Sequence, residues 1–312
     1  MSPTGRPEGE SAPKRVSAEG SPVRPKGRPE GESAPKRVSA EGSPVTLAAR
    51  LSRSGLDWIV PDWDVAAPVQ GFVTTRNGGA PQDAGSTSAA GIDLGPAHIE
   101  RVDVAARAAI LASRRVVTAF LPSPPVWLEQ VHGRDVAVID ERTLDASRAA
   151  PPVADAVVTR LSGVPLSVRV ADCLPVLFAD GTGSVVGAAH AGWRGLAAGV
   201  LEATVVAMGV PADAIVAWIG PGIGPRAFEV SDDVRDAFVA RDRDAAAHFV
   251  PRGPGKWLAD LPALARRRLA AVGVARVGGG NLCTYTDAAR FHSFRRDSTA
   301  ARLGAFVWRQ PA

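Results

Sequence analysis

The chain has 312 residues, enough for one large domain or two small ones with ample core. Its net charge of +4 comes from 36 Lys and Arg against 32 Asp and Glu, and no basic stripe interleaved with aromatics runs through the body, so nucleic-acid binding has no electrostatic footprint. No apolar run is long enough to span a bilayer and no secretory apolar segment is visible, which with only two cysteines predicts a cytoplasmic protein with reduced thiols and no membrane partner.

Residues 1–50 read as a disordered low-complexity tail. The 19-residue segment GRPEGESAPKRVSAEGSPV occurs at Gly5–Val23 and again at Gly27–Val45, with almost no large apolar side chain to bury. A folded domain is expected over residues 56–312. Val69–Thr75 predicts a strand ending at Arg76, and residues 80–97 a long Ala/Gly/Ser-rich loop. Val102–Leu111 predicts a short helix, and Val126–Leu128, Val136–Ile139 and Ala156–Thr159 predict strands. Three apolar runs follow at Leu166–Val170, Leu174–Ala179 and Ser184–Ala189. Leu196–Met208 carries a broad helical stripe closed by Gly209. Ile215–Ile219 is a further strand, Ser231 starts a helix with Asp232 and Asp233 in its first turn, and Asp260–Val272 is another helix. Strands at Val274–Val277 and Ala305–Trp308 complete the pattern. Strands and helices interleave without strict βα repetition, so a layered α/β sandwich with a mixed sheet is expected ahead of a barrel or a doubly wound fold.

Chemistry concentrates at the junctions of the central runs. Cys173 follows the break at Ala171-Asp172, and His190 precedes the turn Ala191-Gly192. With one more histidine from elsewhere they would form a three-ligand zinc site with one open position. None of the five histidines has a helical or H-x-H ligand spacing, so distant segments must meet. His132, also at a Gly-flanked strand end, stands out, because sites in α/β proteins collect at strand ends. Lys256 is the only lysine beyond residue 36, so any anion falls to Arg, His or backbone N–H groups.

The runs LEQVHGRDV (128–136), ADAVVT (154–159), VRVADCLPVLFAD (168–180), AAHAGWRGLAAGV (188–200), IGPGIGPRAFEV (219–230) and SFRRDSTAARLGAFVW (293–308) closely resemble the bacterial YfiH/DUF152 family. Its members are described as laccase-like multicopper polyphenol oxidases, peptidoglycan editing factors and purine nucleoside phosphorylases. The resemblance implies a mixed α/β (α+β) fold, an α-β-β-α sandwich with mixed sheets. It also implies that His132, Cys173 and His190 bind zinc. The chain departs from the family pattern at Ala90–Gly95, where Asp93 replaces an Asn and a V-G-D-D run is missing. Altered substrate choice is expected from that segment.

The implied reactions are phosphorolysis of a purine nucleoside by phosphate and deamination of adenosine at C6. Cys173, His190 and Asp172 are the expected catalytic group, with Asp172 relaying a proton or orienting a ligand histidine. Arg76, Arg194 and Arg295 are candidates for phosphate, since guanidinium forks match its oxygens, and Gln130 for the purine edge or a water on the metal. Copper is the other ion these donors take, but a multicopper oxidase needs H-x-H pairs and an axial Met, and this chain has no such pair and only Met1 and Met208. Two rivals stand beside the phosphorylase. One is an amidase acting on peptidoglycan precursors with Cys173 as nucleophile and His190 as base. The other is a non-catalytic metal-binding protein whose fourth position is closed by His98 or Asp172.

Overall fold

The computed structural model describes residues 45–78 and 91–311; the duplicated tail up to Pro44 and the first part of the expected 80–97 loop lie outside them. Strand β5 (Leu174–Asp180) is buried at every position. Its Leu174, Val176 and Phe178 point into one core, and Leu177 and Ala179 into another. That is the period of two that a pleated strand imposes when both faces are covered. Strands β3 (Ala156–Thr159), β6 (Val186–Ala191) and β7 (Ile215–Ile219) are buried throughout for the same reason. With β2 (Val136–Ile139) and β11 (Arg276–Gly279) they form a mixed sheet in the order β11-β7-β5-β6-β3-β2. Its outer pairs are parallel and its inner pairs antiparallel.

Helices α4 (Trp193–Ala198), α5 (Val200–Met208), α6 (Asp232–Val239) and α7 (Leu261–Ala271) cover one face, burying Leu196, Leu201, Phe238, Leu264 and Leu269. On the other face lies an antiparallel sheet of β1 (Val69–Val73), β12 (Leu303–Arg309) and β4 (Leu166–Val170), with Val168, Ala305 and Val307 closing the core between the sheets. Outside it, α1 (Leu47–Arg53) and α2 (Val104–Thr118) bury Leu51 and Val117 against Phe72, Phe306 and Trp308. The architecture is therefore the α-β-β-α sandwich with mixed sheets that the sequence pattern and the resemblance implied.

Several boundaries differ from expectation. The folded part begins before residue 56, because α1 buries Leu47 and Leu51 one turn apart. The stripe expected as one helix over Leu196–Met208 is two, broken at Gly199, whose φ of 101° ends α4 in a left-handed cap. Helix α2 runs on past Leu111, since Ser113 and Val117 bury on the face that Ile110 starts. Val126–Leu128 makes only an isolated bridge to Leu166; the prolines before it offer no N–H to extend a ladder. A small antiparallel sheet, β8 (Glu229–Ser231), β10 (Lys256–Ala259) and β9 (Phe249–Gly253), carries too few buried positions to show in the pattern. Strand β6 lies two residues later than the run Ser184–Ala189, so His190 sits inside a strand.

Candidate metal centre

Register brings the centre together. Strand β6 pairs antiparallel with β3 on one side and β5 on the other. Opposite Pro175 stands His190, and opposite Leu174 stands Ala191. One further step of that ladder sets Cys173 against Gly192. A Cβ on Gly192 would lie 2.8 Å from Cys173 Sγ and 3.0 Å from His132 Cδ2, so the absent side chain makes room for two donors. Across β3, the His190 N–H donates to the Asp155 carbonyl at 2.7 Å.

The third donor comes from the turn Gln130-Val131-His132-Gly133. His132 has a φ of 61°, a left-handed conformation uncommon for a residue with a Cβ. Asp155 holds it there. Its Oδ1 accepts the His132 N–H at 2.9 Å, and its Oδ2 accepts those of Val131 at 3.1 Å and Gly133 at 2.6 Å. The same carboxylate lies 2.8 Å from His190 Nδ1. One fully buried aspartate therefore shapes the turn and fixes the His190 tautomer, leaving Nε2 for an ion.

The donor atoms of His132, Cys173 and His190 lie within 4.8 Å of one another, and this group can hold a metal ion. Cys173 Sγ is 3.8 Å from His132 Nε2, and the two imidazoles meet edge to face. Burial pushes the Cys173 thiol up, but His190 and His132 together bring it down to about 6. Burial likewise pushes His190 down, and the charges of Cys173 and Asp155 carry it up to about 9. Asp155 resists the upward push of its own burial, because His190 and the turn's N–H groups hold its carboxyl below the ordinary range. The two imidazoles thus favour the thiolate form of the sulfur, and a cation would take the place of the imidazolium proton. Two imidazoles and a thiolate fit zinc with a fourth position open. The residues expected to close that position are engaged elsewhere. Both His98 nitrogens lie 3.0 Å from carboxylates, of Glu100 and Glu129. Asp172, at φ 86°, accepts the Thr284 hydroxyl at 2.6 Å and the Arg295 N–H at 2.7 Å.

Beside the donors lies a cavity of about 630 Å³, within the range of small-ligand sites. Gln130, Asp172 and Arg295 line it with the three donors. The Gln130 amide is spent on β4, donating to the Arg169 carbonyl at 2.8 Å and accepting its N–H at 2.9 Å. Arg295 donates to the Glu229 carbonyl at 2.8 Å. Arg76 and Arg194 are not among the lining residues: Arg76 reaches the Ala288 carbonyl, and Arg194 lies over the Trp193 ring. Asp155, absent from the sequence-based candidates, contacts His190 Nδ1, whereas the Asp172 carboxylate contacts Thr284 and the Arg295 N–H. The cavity also takes Arg169 and Arg302, which sequence reasoning passed over. A charged residue inside the buried run Leu166–Val170 was the available signal for Arg169.

Residues 70–310 match a family described as multi-copper polyphenol oxidoreductase laccase. The chain is 45% identical over 252 residues to the purine nucleoside phosphorylase YfiH of Escherichia coli, covering 80% of this chain and 98% of that one. It belongs to the YfiH family. Identity reaches 49% over 254 residues with a purine nucleoside phosphorylase of Pseudomonas aeruginosa, across 81% of this YfiH-family chain and 98% of the relative. Among solved structures, a DUF152 protein of Neisseria meningitidis superposes with a TM-score of 0.72 at 40% identity, over 82% of this chain and 100% of that one. YlmD of Geobacillus stearothermophilus follows with a TM-score of 0.66 at 30% identity, over 79% and 94%.

Proposed function

We propose that this protein is a zinc-dependent purine nucleoside phosphorylase, acting on adenosine, inosine and methylthioadenosine, with an accompanying adenosine deaminase activity, in the cytoplasm. The observation that carries the reading is the convergence of His132, Cys173 and His190 on one point beside a cavity of nucleoside size. The names of the relatives support the substrate class. When bound, zinc supplies a Lewis acid and an activated water near neutral pH. His132, Cys173 and His190 would hold it, with Asp155 aiming the His190 ring and holding the backbone turn that carries His132. Ile223, Phe228 and Phe294 offer apolar surface to a purine face, and Arg295 offers positive charge to an anion. In phosphorolysis a phosphate oxygen bonds C1′ of the ribose, the C1′–N9 electron pair leaves with the base, and the base takes up one proton. In deamination water adds at C6 and ammonia leaves. The test is to incubate zinc-loaded protein with each nucleoside and phosphate and to resolve the products. Free base with ribose 1-phosphate is expected, and inosine from adenosine in phosphate-free buffer. Absence of any such product refutes the reading.

One observation favours a second reading. Cys173, His190 and Asp155 also compose a Cys-His-Asp arrangement with a deprotonated sulfur, as the amidase would need. His132 separates the two. The amidase has no use for it as a ligand, so His132→Ala keeps that activity, whereas the zinc enzyme loses its stoichiometric metal.

A further inference from the structure

The cavity that holds the candidate metal donors is also lined by two arginines the chemistry above leaves unused. Arg169 projects from β4 and is only 7% exposed. It donates from Nη1 to the Gly95 carbonyl at 2.7 Å and from Nη2 to the Leu128 carbonyl at 2.6 Å, while its buried Nε has no partner. Arg302, one residue before β12, lines the same cavity; its backbone N–H donates to Asp93 Oδ1 at 2.9 Å, and among the described residues its guanidinium donates to the carbonyls of Thr299 and Ala301. Among the described residues neither guanidinium is salt-bridged to a carboxylate. Burial first, and then the charges of Arg114 and Arg302, push Arg169 down to about 9, with Asp93 opposing. A buried cation crowded by like charges is costly unless something negative joins it. The Arg169 fork makes two hydrogen bonds from five N–H groups and so keeps donors to spare.

We propose that Arg169 and Arg302 form an anion subsite of the metal cavity that takes a phosphoryl dianion, either inorganic phosphate or the phosphate of a nucleoside monophosphate. For inorganic phosphate the inference rests on the phosphorylase reading and adds this pair to Arg295, in place of Arg76 and Arg194, as the phosphate site. The alternative role for Arg169, a clamp on the carbonyls of Gly95 and Leu128, predicts effects on stability alone.

The experiment is calorimetric titration of the metal-free protein with sodium phosphate and, separately, with AMP, at low and high salt. Omitting zinc removes the metal as a competing phosphate ligand. Wild-type protein is expected to bind, more weakly at high salt, and Arg169→Met and Arg302→Gln each to weaken binding about tenfold or more, the scale of a lost charge-assisted hydrogen bond. Arg194→Gln, outside the cavity, is expected to bind as wild type. Arg302 is half-buried, so its variant keeps the test decisive where Arg169→Met fails to fold. In the zinc-loaded enzyme the same two variants raise KM for phosphate and leave KM for inosine unchanged. No wild-type binding of either anion, or equal binding by Arg302→Gln, overturns the subsite. Anion binding that both variants lose, without phosphorolysis of any nucleoside, keeps the subsite and refutes the phosphorylase. Tighter AMP than phosphate assigns it to a nucleotide.

Discussion

Asp155→Asn is the sharpest perturbation of the proposed centre. The native carboxylate accepts four donors: the N–H groups of Val131, His132 and Gly133 and the His190 ring N–H. Two fall on each oxygen. Asparagine has one acceptor oxygen, so either orientation of its amide leaves two of the four facing an NH₂ group. A buried donor without a partner costs about 1–3 kcal/mol, giving a stability loss of about 2–6 kcal/mol in the metal-free protein. Loss of the carboxylate behind a ligand histidine weakens metal binding about 10–100-fold, equivalent to about 1.4–2.8 kcal/mol. Urea unfolding of the metal-free proteins reads the first quantity, and competition with a chromophoric zinc chelator the second. Asp172→Asn is the matched control. Its carboxylate binds Thr284 and Arg295 and no ligand imidazole, so zinc affinity stays within about threefold of wild type, short of the loss a ligand-orienting partner brings. If Asp155→Asn binds zinc as wild type does, or Asp172→Asn loses zinc equally, Asp155 is not the orienting group.

Gly192→Ala keeps a φ of −67° that alanine tolerates, yet puts a methyl against Cys173 and His132; zinc affinity falls by about tenfold or more while circular dichroism stays native, since site geometry must hold to about 0.5 Å. Leu51→Ala, at a 2% exposed position of α1, costs about 2–5 kcal/mol by denaturant titration, and a neutral result would return that helix to the tail. Burial pushes His292 below its ordinary value, and its Nε2 lies 2.7 Å from the Ile92 carbonyl. The unfolded chain takes up this proton as pH falls through about 6.5 and the folded chain only lower, so stability drops across that interval and is unaffected above it. His292→Gln removes that part of the slope in Tm measured from pH 7.5 to 5.5, and an unchanged slope contradicts the assignment.

What the sequence made legible follows from periodicity. Runs such as Leu174–Ala179 are apolar at successive positions because two layers cover the strand, and that announces a sandwich without naming its partners. The donors were legible as residue types at strand ends. Asp155 was not, because its importance comes from register: only when β3 lies beside β6 does its carboxylate meet both His190 and the His132 turn. The arginines nominated for phosphate show the same limit. Arg194 lies two residues beyond Gly192 in sequence, yet it stacks on Trp193 and does not line the cavity. Arg169 showed in the sequence only as a charge inside an apolar run; its burial, with no salt bridge to a carboxylate among the described residues, is what marks it in the fold.

The site lies where the chain changes layers. Strand β4 belongs to the three-stranded sheet and β5 to the six-stranded one, and Ala171-Asp172-Cys173 is the whole connection. Such a short crossover forces the left-handed backbone at Asp172, and it ties Arg169 at the end of one sheet to Cys173 at the start of the other. Asp172 then anchors the seam to Thr284 and to the Arg295 backbone. One proposed anion donor, Arg169, and one candidate metal donor, Cys173, are thus set by one turn of chain, with three residues between them. Asparagine tolerates that backbone and still accepts a hydrogen bond, whereas alanine does neither. Asp172→Ala should therefore weaken zinc and phosphate binding together, while Asp172→Asn spares both. Independent responses of the two ligands to Asp172→Ala would mean that the seam does not couple them.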